Sequence, residues 1–197
     1  MPKLGMVPIR RAALVEATIA EVGQFGSLDV TVAQIARRAG MSSALAHHYF
    51  GSKEQMFLAA MRHILTVYGA EARGAQAAAD GPQARLTGLI RVSFSSGNFR
   101  HEVVAAWLNF YVLAQTLPAA KRLLRVYQCR LHSNLIHELR GLGEPRCQGI
   151  ARGIAALIDG LYIREALSDG APNGRAAAAV VLAYLAAERG FGQEGRG

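Results

Sequence analysis

Apolar residues recur at intervals of three and four along almost the whole chain, while the alternation of β-branched residues that marks strands is nearly absent. That period predicts an all-α fold, because a stripe repeating every 3.6 residues buries one face of a helix and cannot bury one face of a sheet. A first helix is read over residues 8–23, with Leu14, Ala17, Val22 and Phe25 on one stripe and Gly23 and Gly26 at its end. Thr31 opens a second helix, with Gln34 three residues on in the capping-box pattern and Val32, Ile35, Ala36 and Ala39 as its buried face. Gly40 supplies a left-handed stop, and Ser42 caps a third, very short helix that runs to about Tyr49. Ser52 and Gln55 repeat the capping pattern at the head of a long helix ending at residue 79, closed by Asp80-Gly81-Pro82. Further helices are read over 83–95, 102–116, 118–140, 145–168 and 175–189, separated by Gly, Pro and Asn. The tail from Gly190 has too little apolar content to pack and is expected to fray. The chain therefore divides into a short-helix unit over 1–54, a larger helical unit over 55–189 and a disordered tail over 190–197.

With 197 residues, 51% of them hydrophobic and 18% charged, the chain can bury a sizeable core, which excludes collagen-like, disordered and disulfide-scaffold classes. The apolar run Ala176–Ala187 is shorter than the roughly 20 residues that cross a bilayer, and Met1–Arg11 lacks the apolar stretch of a secretory signal. A cytoplasmic protein without a membrane partner is expected. Cys129 and Cys147 predict two reduced thiols acting as core fillers. The net charge of +8 favours a polyanionic partner. Residues 1–54, however, hold six basic and four acidic side chains, a net of +2, so a nucleic acid must be recognised there by the placement of a few groups. No GxGxxG, P-loop, HExxH or GxSxG pattern occurs, and no Glu lies three residues before any histidine. His132 and His137 share no helical face, and His101 beside Glu102 points away from it. No metal, no cofactor and no enzymatic activity are expected. A cofactor-free helical enzyme built on the aromatic residues is the catalytic alternative, and turnover of any ligand would reveal it.

At 100° per residue the third helix sets Ser43, Ala44, His47 and His48 on one side and Leu45, Ala46 and Tyr49 on the other. Spacing alone fits both a helix-turn-helix that offers short polar side chains to the major groove and an ordinary helical hairpin with a polar outer face. The residues themselves separate these. Thr31 to Phe50 reads TVAQIARRAGMSSALAHHYF and continues Gly51-Ser-Lys53, which resembles the DNA-binding signature of the TetR family of repressors. The opening Met1 to Arg11, the stretch Ala105-Ala-Trp107-Leu-Asn-Phe110 and the stretch Ala155-Ala-Leu-Ile-Asp159-Gly-Leu-Tyr162 resemble its choline-responsive members, which repress glycine betaine synthesis. The likeness runs from Met1 to about Asp169, with Ala44 where the family usually has Gly and His47 where it often has Tyr.

The resemblance implies a TetR-like fold in which residues 1–54 bind double-stranded operator DNA. Thr31 and Lys53 match phosphate contacts at helix starts, where amides and positive charge suit an anion. Ser42, Ser43, Ala44, His47 and His48 match positions facing bases or nearby phosphates, Ala44 being able to touch a thymine methyl, while Tyr49 packs or bonds phosphate. Reading two half-sites about 34 Å apart requires a homodimer. The resemblance places its face on the last two helices, where Ala155, Leu157, Ile158, Leu161, Val181, Leu182 and Leu185 offer either an interface or internal core. Trp107, Phe110 and Tyr111 share one helical face, which spacing leaves open as plain packing or part of a cage. A choline-type effector is what the resemblance implies, and a quaternary ammonium needs aromatic faces and a carboxylate, which Tyr127, Asp159 and Tyr162 would complete. The expected function is repression of glycine betaine synthesis genes, with choline releasing the DNA through a pivot of the long helix that starts at Ser52. The alternative is a repressor of the same family that answers to another small hydrophobic or cationic ligand, as in drug-efflux control.

Overall fold

The computed structural model describes secondary structure for residues 5–194 and burial for residues 5–190. All regular structure among them is helical: α1 (Met6–Phe25), α2 (Val32–Arg38), α3 (Ser43–Phe50), α4 (Lys53–Ala77), α5 (Gly81–Ser93), α6 (His101–Thr116), α7 (Pro118–Gly141), α8 (Cys147–Ala166) and α9 (Gly174–Glu194).

The short helices are fixed by their ends. Thr31 and Gln34 form the full capping box: the Gln34 amide donates to Thr31 Oγ1 at 3.2 Å, and the Thr31 amide donates to Gln34 Oε1 at 2.7 Å. α2 closes in a Schellman motif, with the Gly40 amide on the Arg37 carbonyl at 3.1 Å and the Met41 amide on the Ala36 carbonyl at 2.8 Å. Gly40 takes φ +67° there, a left-handed turn in which a Cβ would be strained. At the head of α4 only the forward half of a capping box forms. Ser52 Oγ accepts from the Gln55 amide, but the Ser52 amide donates to the Phe50 carbonyl at 2.9 Å and so does not await a side chain.

α1, α2 and α3 close over Leu14, Ile19, Val22, Val30, Ile35, Ala36 and Ala46, and α4 seals this bundle with Met56 and Phe57. α4 then runs on without a break and carries the same core into the larger half, where Leu86, Ile90, Phe110, Leu135, Leu139, Ile150 and Ile154 pack together. The two halves meet a second time where α1 ends against α6. A Cβ at Gly23 would lie 2.6 Å from the Glu102 Cα, so only glycine permits this approach, and Asn109 Nδ2 donates to the Gly26 carbonyl at 3.1 Å.

Several boundaries and burials differ from the sequence reading. α1 is longer at both ends than residues 8–23, and α8 starts at Cys147 because Pro145 and Arg146 lie in the turn that follows α7. α9 continues through Gly190 to Glu194 in place of a frayed tail, and residues 195–197 lie outside the described residues. Gly190 is not among the glycines of positive φ, so it does not stop the helix. Cys147 is buried as expected, but Cys129 is exposed: two residues from buried Tyr127 and Leu131, it falls on the outer face of α7. Of the residues expected at a dimer face, Ile158, Val181 and Leu185 are core within the chain, at 1%, 0% and 3% exposure, because α8 and α9 pack these residues inward. Ala155, Leu157, Leu161 and Leu182 are half-buried.

Candidate nucleic-acid interface and effector site

On α3, Ala46 is wholly buried, Leu45 and Tyr49 are half-buried, and Ala44, His47 and His48 are exposed together, with Ser43 partly covered beside them. Ser42 caps its own helix by accepting from the Leu45 amide at 3.2 Å, which leaves its O–H to donate outward. His47 Nδ1 lies 3.0 Å from the Gly51 carbonyl. A carbonyl only accepts, so this nitrogen carries the proton, and in the neutral ring Nε2 presents a lone pair to the outside. The His48 ring sits edge-on to Tyr49 at 5.5 Å. The C-terminal end of α3 is held by Arg11, whose guanidinium donates to the Tyr49 carbonyl and stacks 4.2 Å over the Phe50 ring.

The two positions matched to phosphates are differently placed. The Thr31 amide and hydroxyl both donate to Gln34, so a phosphate at this end must displace that side chain or use the free amides of the first turn of α2. Lys53 Nζ donates to the Leu28 carbonyl at 2.7 Å, which fixes the ammonium on the loop between α1 and α2 with two N–H groups to spare.

In the larger half the structure brings all six expected effector residues into one cluster. The Trp107 ring lies 4.7 Å from Tyr127, 5.7 Å from Phe110, 5.7 Å from Tyr111 and 6.0 Å from Tyr162. The Tyr111 hydroxyl donates to Asp159 Oδ1 at 2.9 Å, which supplies a partner for this half-buried carboxylate. Burial pushes the Asp159 carboxyl above its ordinary range, against the downward pull of that hydrogen bond. Burial also holds the phenols of Tyr111, Tyr127 and Tyr162 protonated. Phe110 is fully buried between Phe57 and Trp107 and serves as core. Tyr162 is a tether: its hydroxyl donates to the Ser93 carbonyl at 2.5 Å and lies 3.0 Å from the Asn98 carbonyl, while its ring packs on Phe99 at 4.8 Å.

A cavity of about 660 Å³ opens between α4 and α7, and of the six expected residues only Tyr127 lines it. Its opposite wall includes Leu65, Tyr68 and Ala72, with the Tyr68 ring 5.7 Å from Tyr127. Sequence reasoning missed Tyr68. Its spacing of three and four from Leu65 and Ala72 placed it on an inward face of α4, but that face reads the same for a cavity wall as for solid core.

A buried helical frame with a capped, exposed short helix at one end is the architecture of a helix-turn-helix regulator. Residues 14–60 match the family described as bacterial regulatory proteins, tetR family, and residues 82–190 match that described as BetI-type transcriptional repressor, C-terminal. A curated HTH-type transcriptional regulator BetI of Brucella anthropi is 51% identical over 189 residues, covering 95% of this chain and 97% of the relative. That of Agrobacterium fabrum is 50% identical over 183 residues, covering 92% and 88%. The chain belongs to the TetR family, in its BetI-type branch of transcriptional repressors. Among solved structures, a transcriptional regulator assigned in Pseudomonas aeruginosa PAO1 aligns with a TM-score of 0.73 at 25% identity over 91% of this chain and 90% of its own. A candidate regulator from Saccharomonospora viridis, in complex with choline, aligns with a TM-score of 0.79 at 19% identity over 89% and 94%, a likeness of fold.

Proposed function

We propose that this protein is a homodimeric repressor of genes for glycine betaine synthesis from choline, released from its operator by choline or a related quaternary ammonium. The observation that carries the reading is a cluster in which Trp107 packs against Tyr111 and Tyr127 while the Tyr111 hydroxyl holds one half-buried carboxylate, Asp159. A quaternary ammonium donates no hydrogen bond and is held by ring faces and a negative charge, which is what this cluster offers. The BetI-type relatives, and the choline held by the Saccharomonospora viridis regulator, support the same ligand class.

Residues 1–54 form the DNA-binding unit in this reading, with Ala44, His47 and His48 facing bases and Thr31, Ser42, Ser43, Tyr49 and Lys53 serving the backbone or nearby edges. Residues 55–189 hold the effector and the dimer face. Exposed Ile163 on α8, Leu167 just past its end and Val180 on α9, at 38%, 72% and 49% exposure, are the apolar surface left for a second copy. Choline releases DNA only by favouring a head arrangement other than the DNA-bound one. Two rigid links carry that bias: α4, continuous into the head, and α6, which bears Trp107 and also meets the end of α1 through Glu102 and Asn109. The test is fluorescence anisotropy of a labelled fragment from the gene's own upstream region, at stated salt, with and without choline. Specific binding that choline weakens at least tenfold is expected. Specific binding indifferent to choline would sink the effector assignment, and absence of specific binding would sink the operator assignment.

A further inference from the structure

The groove between α4 and α7 differs in charge from the aromatic cluster beside it. Three arginines line it, Arg62 and Arg73 from α4 and Arg130 from α7, and among the described residues no carboxylate does. Among the described residues none of the three makes an ion pair. The nearby carboxylates are engaged elsewhere. Glu138, which Gln76 reaches at 3.5 Å, is 2% exposed and held by Arg85 at 2.9 Å, and Glu71 accepts from Ser95 and Asn98 on the α5–α6 side. The floor is apolar, formed by Leu65, Tyr68, Ala72, Tyr127 and Leu131. Arg73 lies back over that floor, since a Cβ at Gly69 would come within 3.3 Å of its Nη1. Eleven residues of helix separate Arg62 from Arg73, about 16 Å along α4, so positive charge flanks the apolar strip over the length of a small amphiphile.

A cation gains nothing from such walls, whereas an acid head on a guanidinium with an apolar tail on the floor satisfies both. We propose that this groove binds a small amphipathic organic anion, a carboxylate or a phosphate monoester with an apolar tail, at a site separate from the cluster assigned to choline. The occupant wedges between α4 and α7, and because α4 runs unbroken into the DNA-binding head, occupancy shifts operator affinity. This second consequence, unlike the binding itself, rests on the function proposed above. Tyr127 is a wall of the groove and stands 4.7 Å from Trp107, so groove and cluster share a side chain through which each senses the other.

The test is isothermal titration of the full chain with octanoate and monooctyl phosphate, against octanol and octyltrimethylammonium as neutral and cationic molecules of the same tail. At least one anion is expected to bind about tenfold or more tighter than octanol, with the cation weakest, and the tighter of the two anions names the head group. Arg73→Gln and Arg130→Gln are each expected to weaken the anion about fivefold while leaving octanol affinity, choline affinity and Tm unmoved, as suits exposed side chains. Neither anion binding tighter than octanol, or an Arg62→Gln, Arg73→Gln, Arg130→Gln triple variant binding the anion unchanged, overturns the proposal. Choline is titrated into the same samples. Its failure to bind would count against the choline reading and leave the groove standing, and failure of the anions would do the reverse.

Discussion

The DNA-binding head and the aromatic cluster treat polar groups in opposite ways. In the head, the groups proposed to meet a partner stand on the surface and the short helices are held by caps at their ends: Thr31, Ser42 and Ser52 each tie a helix start, and Gly40 turns the chain so that α3 presents Ala44, His47 and His48 outward. In the cluster the polar groups are half-buried or buried and paired, Tyr111 with Asp159 and Tyr162 with the Ser93 carbonyl, so the function proposed there depends on groups that also hold the fold. Variants of the exposed α3 side chains should therefore separate binding from stability, and cluster variants should not.

The largest effect that would break this contrast concerns assembly. Leu167→Glu combined with Val180→Glu, both exposed in the single chain, should leave the fold intact by circular dichroism, yield monomers in light scattering and weaken operator binding roughly 100-fold or more through loss of the second half-site. A dimer that survives would move the interface elsewhere. On stability the largest change is Phe110→Ala, which should cost about 3–5 kcal/mol by chemical denaturation, since it empties a fully buried ring site. Tyr111→Phe, removing one hydroxyl from Asp159, should cost about 1–2 kcal/mol and lower choline affinity as well. In the head, Gly40→Ala should cost about 1–2 kcal/mol because its φ of +67° strains any Cβ, whereas His47→Ala should leave stability within about 0.5 kcal/mol and change which operator bases are preferred, read by selection from a random DNA pool.

The smallest effect is a pH dependence. With its folded value raised above 3.8, Asp159 contributes most to stability below 3.8, where it is protonated in both states, and that contribution is lost as pH rises through the raised value. Choline affinity should move the other way, strengthening as the carboxylate forms. Asp159→Asn should flatten both trends, and trends that persist in the variant would assign them to another group.

Legibility in the sequence follows the same division. The head could be read almost residue by residue, since caps, a left-handed glycine and a helical period are local signals and the exposed face follows from angle alone. α6 was equally plain as a helix, but Trp107, Phe110 and Tyr111 read identically as core and as cage. Only the packing of four helices shows Phe110 sealed against Phe57 and Tyr162 tethered through its hydroxyl. The same limit explains Val181 and Leu185, whose apolar character could not say whether a neighbouring helix of the same chain or of a second copy would cover them. Gly23 reads in the sequence as an ordinary helix end, and Gly174 carries no local signal. Their use is in close approach, to Glu102 and to the Phe94 carbonyl, which no local pattern encodes.

In the proposed function, a ligand in the larger half resets the spacing of the two heads. Pulsed dipolar spectroscopy on a dimer spin-labelled at Glu54→Cys, an exposed position at the start of α4, in a Cys129→Ser background, measures that spacing directly. Operator DNA should select one narrow distance compatible with half-sites about 34 Å apart, and choline should move the population to a different one. Identical distance distributions with operator and with choline would contradict that resetting of the heads.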